Sequence, residues 1–241
     1  MAVSDMKIRP HLSRRLLIGL LLALIATGAA LHESWIRIPA RFQPWGPVRL
    51  EGRPGWFAHL RLNGLAADRG ACRAALDTAR LGFSVLADRT IADGCAFRNV
   101  VRSDASPIAF NSQPVATCAM TAALTWWQRR LDTIAAEELH SRVIRIDQLG
   151  TYACRNINSA TAGRKSEHAT ANAIDIAAFH LADGRVITVL RDYGKPTPEG
   201  RFLDAAHDAA CDLFNIVLGP RYNRLHANHF HMDMGRFRAC R

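Results

Sequence analysis

Proline is scarce in this sequence of 241 residues, and its ten prolines form no repeat, which excludes a proline-rich structural rod. Only one long apolar run occurs, so a bundle of several membrane-spanning helices is excluded as well. No Cys-x-x-Cys pair is present, which argues against a zinc ribbon or a thioredoxin-type site. A basic helix with interleaved aromatics is also missing. The net charge is +10, but residues 1–50 carry +5 of it, seven Lys/Arg against Asp5 and Glu33, and the rest is scattered. Nucleic acid is therefore not an expected partner, and an anionic polymer such as cell wall is weakly favoured. With 49% hydrophobic and 22% charged residues, the chain has ordinary globular composition, so a collagen-like or wholly disordered protein is excluded.

What is there begins with an address. Lys7, Arg9, Arg14 and Arg15 precede an uncharged, mostly apolar run from Leu16 to Leu31. Positive charge stays on the cytoplasmic side, so this pattern is expected to be an export signal or a single membrane anchor over residues 1–31. All six cysteines (Cys72, Cys95, Cys118, Cys154, Cys211, Cys240) follow that run, and three disulfides in an oxidising compartment are expected. Fifteen pairings are possible, and the spacing chooses none of them.

Residues 32–56, with Pro39, Pro44, Pro47, Pro54 and three glycines, read as a linker. Trp35, Trp45 and Trp56 in it are placed either on the domain or near a membrane surface. Residues 57–241 form the expected domain. A short helix is predicted over 71–80 and a longer one over about 115–139, with Trp126 and Trp127 as core anchors. From 143 the pattern turns to strands: 143–149, 151–154, 172–181 and 186–190, with an Asp183-Gly184 hairpin turn. A helix over about 200–217 and a last strand over 228–234 complete an α+β domain, a mostly antiparallel sheet flanked by helices.

One constellation carries chemistry. Ser166-Glu167-His168 is followed by Asp175, and His226 precedes His229-Phe230-His231-Met232-Asp233. On a strand His229, His231 and Asp233 share a face, and the small Ala173 and Ala177 flank Asp175. Two imidazoles and a carboxylate suit a catalytic zinc with its fourth position open, where the ion acidifies water and polarises a carbonyl for hydrolysis. His11, His32, His59, His140, His180 and His207 lack such a pattern and read as structural or surface residues.

Ser166-x-His168-x6-Asp175 with the distal His229-x-His231 resembles the metallopeptidases that include D-Ala-D-Ala carboxypeptidases and peptidoglycan endopeptidases. More closely, Cys154-Arg155-Asn156, Ser166 to Ala173 and His226 to Asp233 resemble the bacterial extensin-like C-terminal family, over roughly residues 55–241. The resemblance implies a fold of the hedgehog and D,D-peptidase type, with His168, Asp175 and His231 as zinc ligands. His229 matches the histidine that steadies the tetrahedral intermediate or assists proton transfer. No carboxylate stands just before the His-x-His, where many relatives carry the general base. His226 stands there instead, and Asn228 occupies a position where the family commonly shows an acid. Arg155 matches an arginine that faces substrate, Ser166 orients its loop or touches substrate, and Asp233 is a partner for a ligand histidine or a solvated side chain. The implied function is an exported zinc peptidase of peptidoglycan stem peptides or cross-links. It would work on the periplasmic side of a bacterial envelope, and at the inner membrane if residues 1–31 are uncleaved. A zinc-containing wall-binding or signalling module without catalysis is the alternative. A structural protein without metal would require the three candidate ligands to be unrelated.

Overall fold

Residues 10–32, 39 and 42–241 are described by a computed structural model, which divides into two units, Met1–Gln43 and Pro44–Arg241. In the first unit the apolar run lies in one helix, α1 (Pro10–His32), of 23 residues. At 1.5 Å per residue it is about 34 Å long, enough for a bilayer core, and its leucines from Leu16 to Leu31 are exposed. It is a helix of signal or membrane-anchor type. Lys7, Arg9 and Trp35, and the side chains of His11 and His32, lie outside the described residues.

The second unit starts inside the stretch read as linker. Val48 and Leu50 are buried, and the Gly52 carbonyl accepts a hydrogen bond from the Trp126 indole at 3.0 Å. Val48 and Leu50 thus tie this stretch to the core, while Trp45 and Trp56 are exposed. Helices α2 (Ala58–Ala67) and α3 (Arg69–Thr78) follow, the second capped by Asp68, which accepts from the Ala71 N–H at 2.9 Å. Five short strands come next: β1 (Phe83–Val85), β2 (Arg89–Ala92), β3 (Cys95–Phe97), β4 (Val100–Ser103) and β5 (Ala109–Phe110).

The predicted helix over 115–139 starts three residues late. Val115–Thr117 is strand β6, and α4 runs from Cys118 to Leu139. Thr117 decides the boundary, because its hydroxyl caps the Met120 N–H. Residues 118–128 are all buried, so this helix is wrapped rather than laid on a surface. Trp127 donates its indole N–H to the Ala206 carbonyl at 2.9 Å and packs on Phe179.

Strands β7 (Val143–Gly150) and β8 (Ala173–Leu181) are the long pair of the main sheet. The turn at Asp183-Gly184 returns the chain as β9 (Val186–Thr188) on β8, and residues 189–192 then form a short helix, α5, instead of prolonging the strand. Helix α6 (Pro198–Cys211) ends well before the expected 217, because Ile216–Leu218 is strand β10. Strands β11 (Phe230–Asp233) and β12 (Ala239–Cys240) close the sheet in the order β12-β10-β11-β8-β7-β5. Its central pairs are antiparallel, and the edge pairs β10·β12 and β5·β7 are parallel. Strands β1, β4 and β6 form a second sheet, and β2 and β3 a hairpin. The core lies between the helices and one face of the main sheet, where Ile174, Ile176, Phe230 and Met232 are fully buried.

All six cysteines pair, as Cys72–Cys118, Cys95–Cys154 and Cys211–Cys240. Three disulfides fit a location outside the cytoplasm.

A buried two-histidine, one-carboxylate cluster at a groove

The register of β8 and β11 builds the cluster. His231 lies directly opposite Asp175, while the neighbours Ile174, Ile176, Phe230 and Met232 point to the core. Strand alternation therefore turns Asp175, His231 and Asp233 to the other face. His168 arrives from a single 3-10 turn, Glu167–Thr170, which Ser166 caps by accepting the His168 N–H at 3.4 Å. Ser166 thus shapes the turn that carries the histidine.

The three side chains converge. His168 Nε2 lies 3.2 Å from Asp175 Oδ1 and 3.2 Å from His231 Nδ1, and His231 Nδ1 lies 3.0 Å from Asp175 Oδ1. The outer nitrogens fix the tautomers. His168 Nδ1 faces the Thr151 carbonyl at 3.3 Å, and His231 Nε2 faces Asp233 Oδ2 at 3.0 Å. Both partners are acceptors, so both outer nitrogens carry the hydrogens, and two imidazole lone pairs aim at a carboxylate oxygen. Three lone pairs this close need a positive charge among them, a proton or a metal ion. The Asp175 carboxyl shows the demand: burial works against its charge, but its close contacts with His168 and His231 hold it well below the usual carboxylate range. Burial also opposes the charge on His231, yet Asp175 and Asp233 push its pKa up to about 9. The mutual spacings of 3.0–3.2 Å are close to the ~3.3 Å edge of a tetrahedron whose bonds to zinc are about 2.0–2.1 Å. The residues fit that ion.

Two further histidines flank the cluster. His229 Nε2 is 3.6 Å from Asp175 Oδ1, and its Nδ1 lies 2.8 Å from Asn228 Oδ1. His226 is buried beside it, ring centroids 5.2 Å apart, with Nδ1 2.7 Å from Asn223 Oδ1. Asn223 Oδ1 also accepts from the Leu225 N–H, so it is an acceptor, and His226 Nδ1 is the donor. Burial first, then the charges of His229 and His231, lower the His226 pKa to about 4. Burial lowers His229 too, against the pull of Asp175.

Asp233 is buried and doubly engaged, holding His231 and accepting the Gly235 N–H at 2.8 Å. Of the two roles open to it from sequence, the partner of a histidine is the observed one. Arg155 does not end a strand, because residues 151–154 form none: this segment is held by Thr151 against His168, by Tyr152 edge-on to Phe97, and by the Cys95–Cys154 disulfide. Replacing both cysteines by serine is expected to cost about 2–4 kcal/mol, read as a lowered midpoint in urea unfolding. A loss below about 1 kcal/mol would show the segment to be held without the disulfide.

His226, His231, Asp233 and Arg155 share a groove of about 220 Å³ with Tyr222 and Phe237. Thr151, Asn172 and Asn223 were not singled out from sequence. Thr151 acts through its carbonyl, which no side-chain pattern reveals. Asn172 ties the 3-10 turn together, donating to Glu167 Oε2 at 2.8 Å and accepting from the Thr117 hydroxyl at 2.7 Å. Two of the outlying histidines have structural partners. His180 pairs with Asp147 at 2.6 Å, and buried His207 faces the Arg241 carbonyl at 3.2 Å. His207 also neighbours Cys211 and Cys240, whose sulfurs are spent on each other.

An α+β domain closed by three disulfides, with a histidine–aspartate–histidine cluster on the sheet face opposite the core, is the class of protein these features define. Residues 70–241 match the family model described as the extensin-like protein C-terminus, and the chain belongs to that family. Compared with curated proteins and with solved structures, the chain has no match.

Proposed function

We propose that residues 44–241 are a zinc peptidase of a bacterial envelope, cutting peptide bonds of peptidoglycan stem peptides or cross-links on the periplasmic side. One observation carries this reading: the convergence of His168 Nε2, Asp175 Oδ1 and His231 Nδ1, with both tautomers held by acceptors behind them. When bound, zinc supplies an acidified water and polarises the scissile carbonyl. The resemblance of the Ser166–Asp175 and His226–Asp233 motifs to D,D-peptidases supplies the substrate.

The residues around the cluster then have separable tasks. His226, its Nδ1 hydrogen given to Asn223, keeps a free Nε2 lone pair and takes the proton from the attacking water. His229 presents Nε2 beside Asp175 and relays a proton to the developing oxyanion or the leaving amine. The Arg155 guanidinium lines the groove, where its fork suits a substrate carbonyl or carboxylate. Asp233→Asn is expected to weaken zinc binding about 10–100-fold. An amide N–H facing His231 Nε2 moves the ring hydrogen to Nδ1, on the side of the ion. Competition against a fluorescent chelator checks this, and unchanged affinity would remove Asp233 from the account.

One observation favours the second reading, a zinc-containing binding or signalling module. Both carboxylates lining the groove, Glu167 and Asp233, are already hydrogen-bonded, so no spare acid stands ready as base. Digestion of purified cross-linked peptidoglycan by the full-length chain with zinc decides between them. New muropeptides in the mass spectrum support the peptidase. Intact peptidoglycan with a zinc-loaded, folded chain supports the module.

A further inference from the structure

Some cations of the second unit are paired: Arg130, Arg145, Arg185, Arg191, Arg201 and Arg221 each hold an Asp or Glu oxygen at 2.7–3.0 Å. The groove gathers four that are not. Arg155, Arg164, Lys165 and Arg236 all line it, and among the described residues none of the four lies within ion-pair distance of a carboxylate. The two acids in the lining are engaged with Asn172, His231 and the Gly235 N–H and neutralise none of them. Arg164 lies instead over the Phe237 ring, 4.7 Å from its centroid.

These cations are placed by the fold. Lys165 runs across the turn at Gly94, where a Cβ would come within 2.8 Å of its Cγ, so the bare glycine makes room for the lysine stem. The same turn leads into Cys95, whose disulfide to Cys154 holds Arg155 one residue on. Arg236 follows Gly235, which Asp233 fixes. Unpaired positive charges in a concavity raise the local concentration of anions, and guanidinium forks bind carboxylates in paired hydrogen bonds.

We infer that the groove takes a doubly anionic peptide, with two carboxylates near the bond to be cut, read by Arg155, Lys165 and Arg236 together. The inference rests on the peptidase reading for its site and adds the charge of the substrate. With Arg164 lying over Phe237, three cations remain; one terminal carboxylate engages a single guanidinium fork, and a second carboxylate on a neighbouring residue accounts for the others.

The test uses the full-length chain stripped of metal with chelator, so that carboxylates cannot bind through an ion. The probes are an N-acetylated pentapeptide of alternating L and D residues, bearing a free C-terminus and one glutamyl carboxylate, and the same peptide with both carboxylates amidated. Calorimetry is expected to show the acidic peptide binding at least about tenfold tighter at low salt, with the gap closing in 0.5 M salt. The Lys165→Gln/Arg236→Gln variant should lose most of that gap. Both side chains are exposed, so the variant is expected to fold, and its melting temperature verifies this. Equal affinity for the two peptides, no binding of either, or an undiminished gap in the variant would overturn the inference. Turnover by the zinc-loaded chain is scored separately. Cleavage of both peptides at one rate leaves the peptidase standing and removes the charge preference. Discrimination in binding without cleavage does the reverse.

Discussion

His231→Ala is expected to abolish both zinc binding and peptidoglycan cleavage while leaving the fold intact. The substitution removes one of three converging donors and also releases Asp233, which holds the ring from behind. Losing an outer partner alone typically costs about 10–100-fold in metal affinity, so losing the ligand with it must exceed that range. The ring lies on the sheet face opposite the core, with Phe230 and Met232 carrying the core contacts of the same strand. Far-ultraviolet dichroism and the melting profile should therefore stay close to those of the unaltered chain. A variant that still binds zinc at unchanged affinity would show the cluster to be a hydrogen-bonded knot and nothing more.

The largest effect on stability is expected from Trp127→Ala. This side chain is fully buried, reaches Phe179 on β8, and gives its indole N–H to Ala206 on α6. Truncating a buried tryptophan costs about 3–5 kcal/mol. For a unit of this size that lowers the melting temperature by roughly 6–20 °C. Phe179, on which Trp127 packs, lies on the same strand β8 as Asp175. Thermal unfolding followed by dichroism checks the value, and a loss below about 1 kcal/mol would mean that the helix–sheet contact is carried elsewhere.

Two of the three donors of the cluster, Asp175 and His231, were legible because they sit on regular strands. Period-2 alternation from Phe230 to Asp233 and from Ala173 to Leu181 assigns a face to each side chain, and the pairing register then does the rest. Elements were misread where a local device outweighs periodicity. Apolar spacing continues from Val115 into α4, but the Thr117 cap starts the helix at Cys118. The apolar pattern continues past Cys211, yet Ile216–Leu218 pairs with both β11 and β12. Strands β1 to β5 gave little sign of themselves, since each has two to four residues and β2 is exposed throughout. Val48 and Leu50 were hidden among prolines and glycines, where no period survives. The disulfide pairing and the Thr151 carbonyl behind His168 depend on chain path alone, and no residue pattern carries them.

The central claim is that His168, Asp175 and His231 hold a metal ion, and the zinc content of the full-length chain tests it most directly. Purified in detergent and dialysed against trace zinc, the chain should hold one zinc per molecule by elemental mass spectrometry. His168→Ala, Asp175→Ala and His231→Ala should each hold none while melting cooperatively. A folded unaltered chain without zinc, or three variants that retain it, would contradict the account.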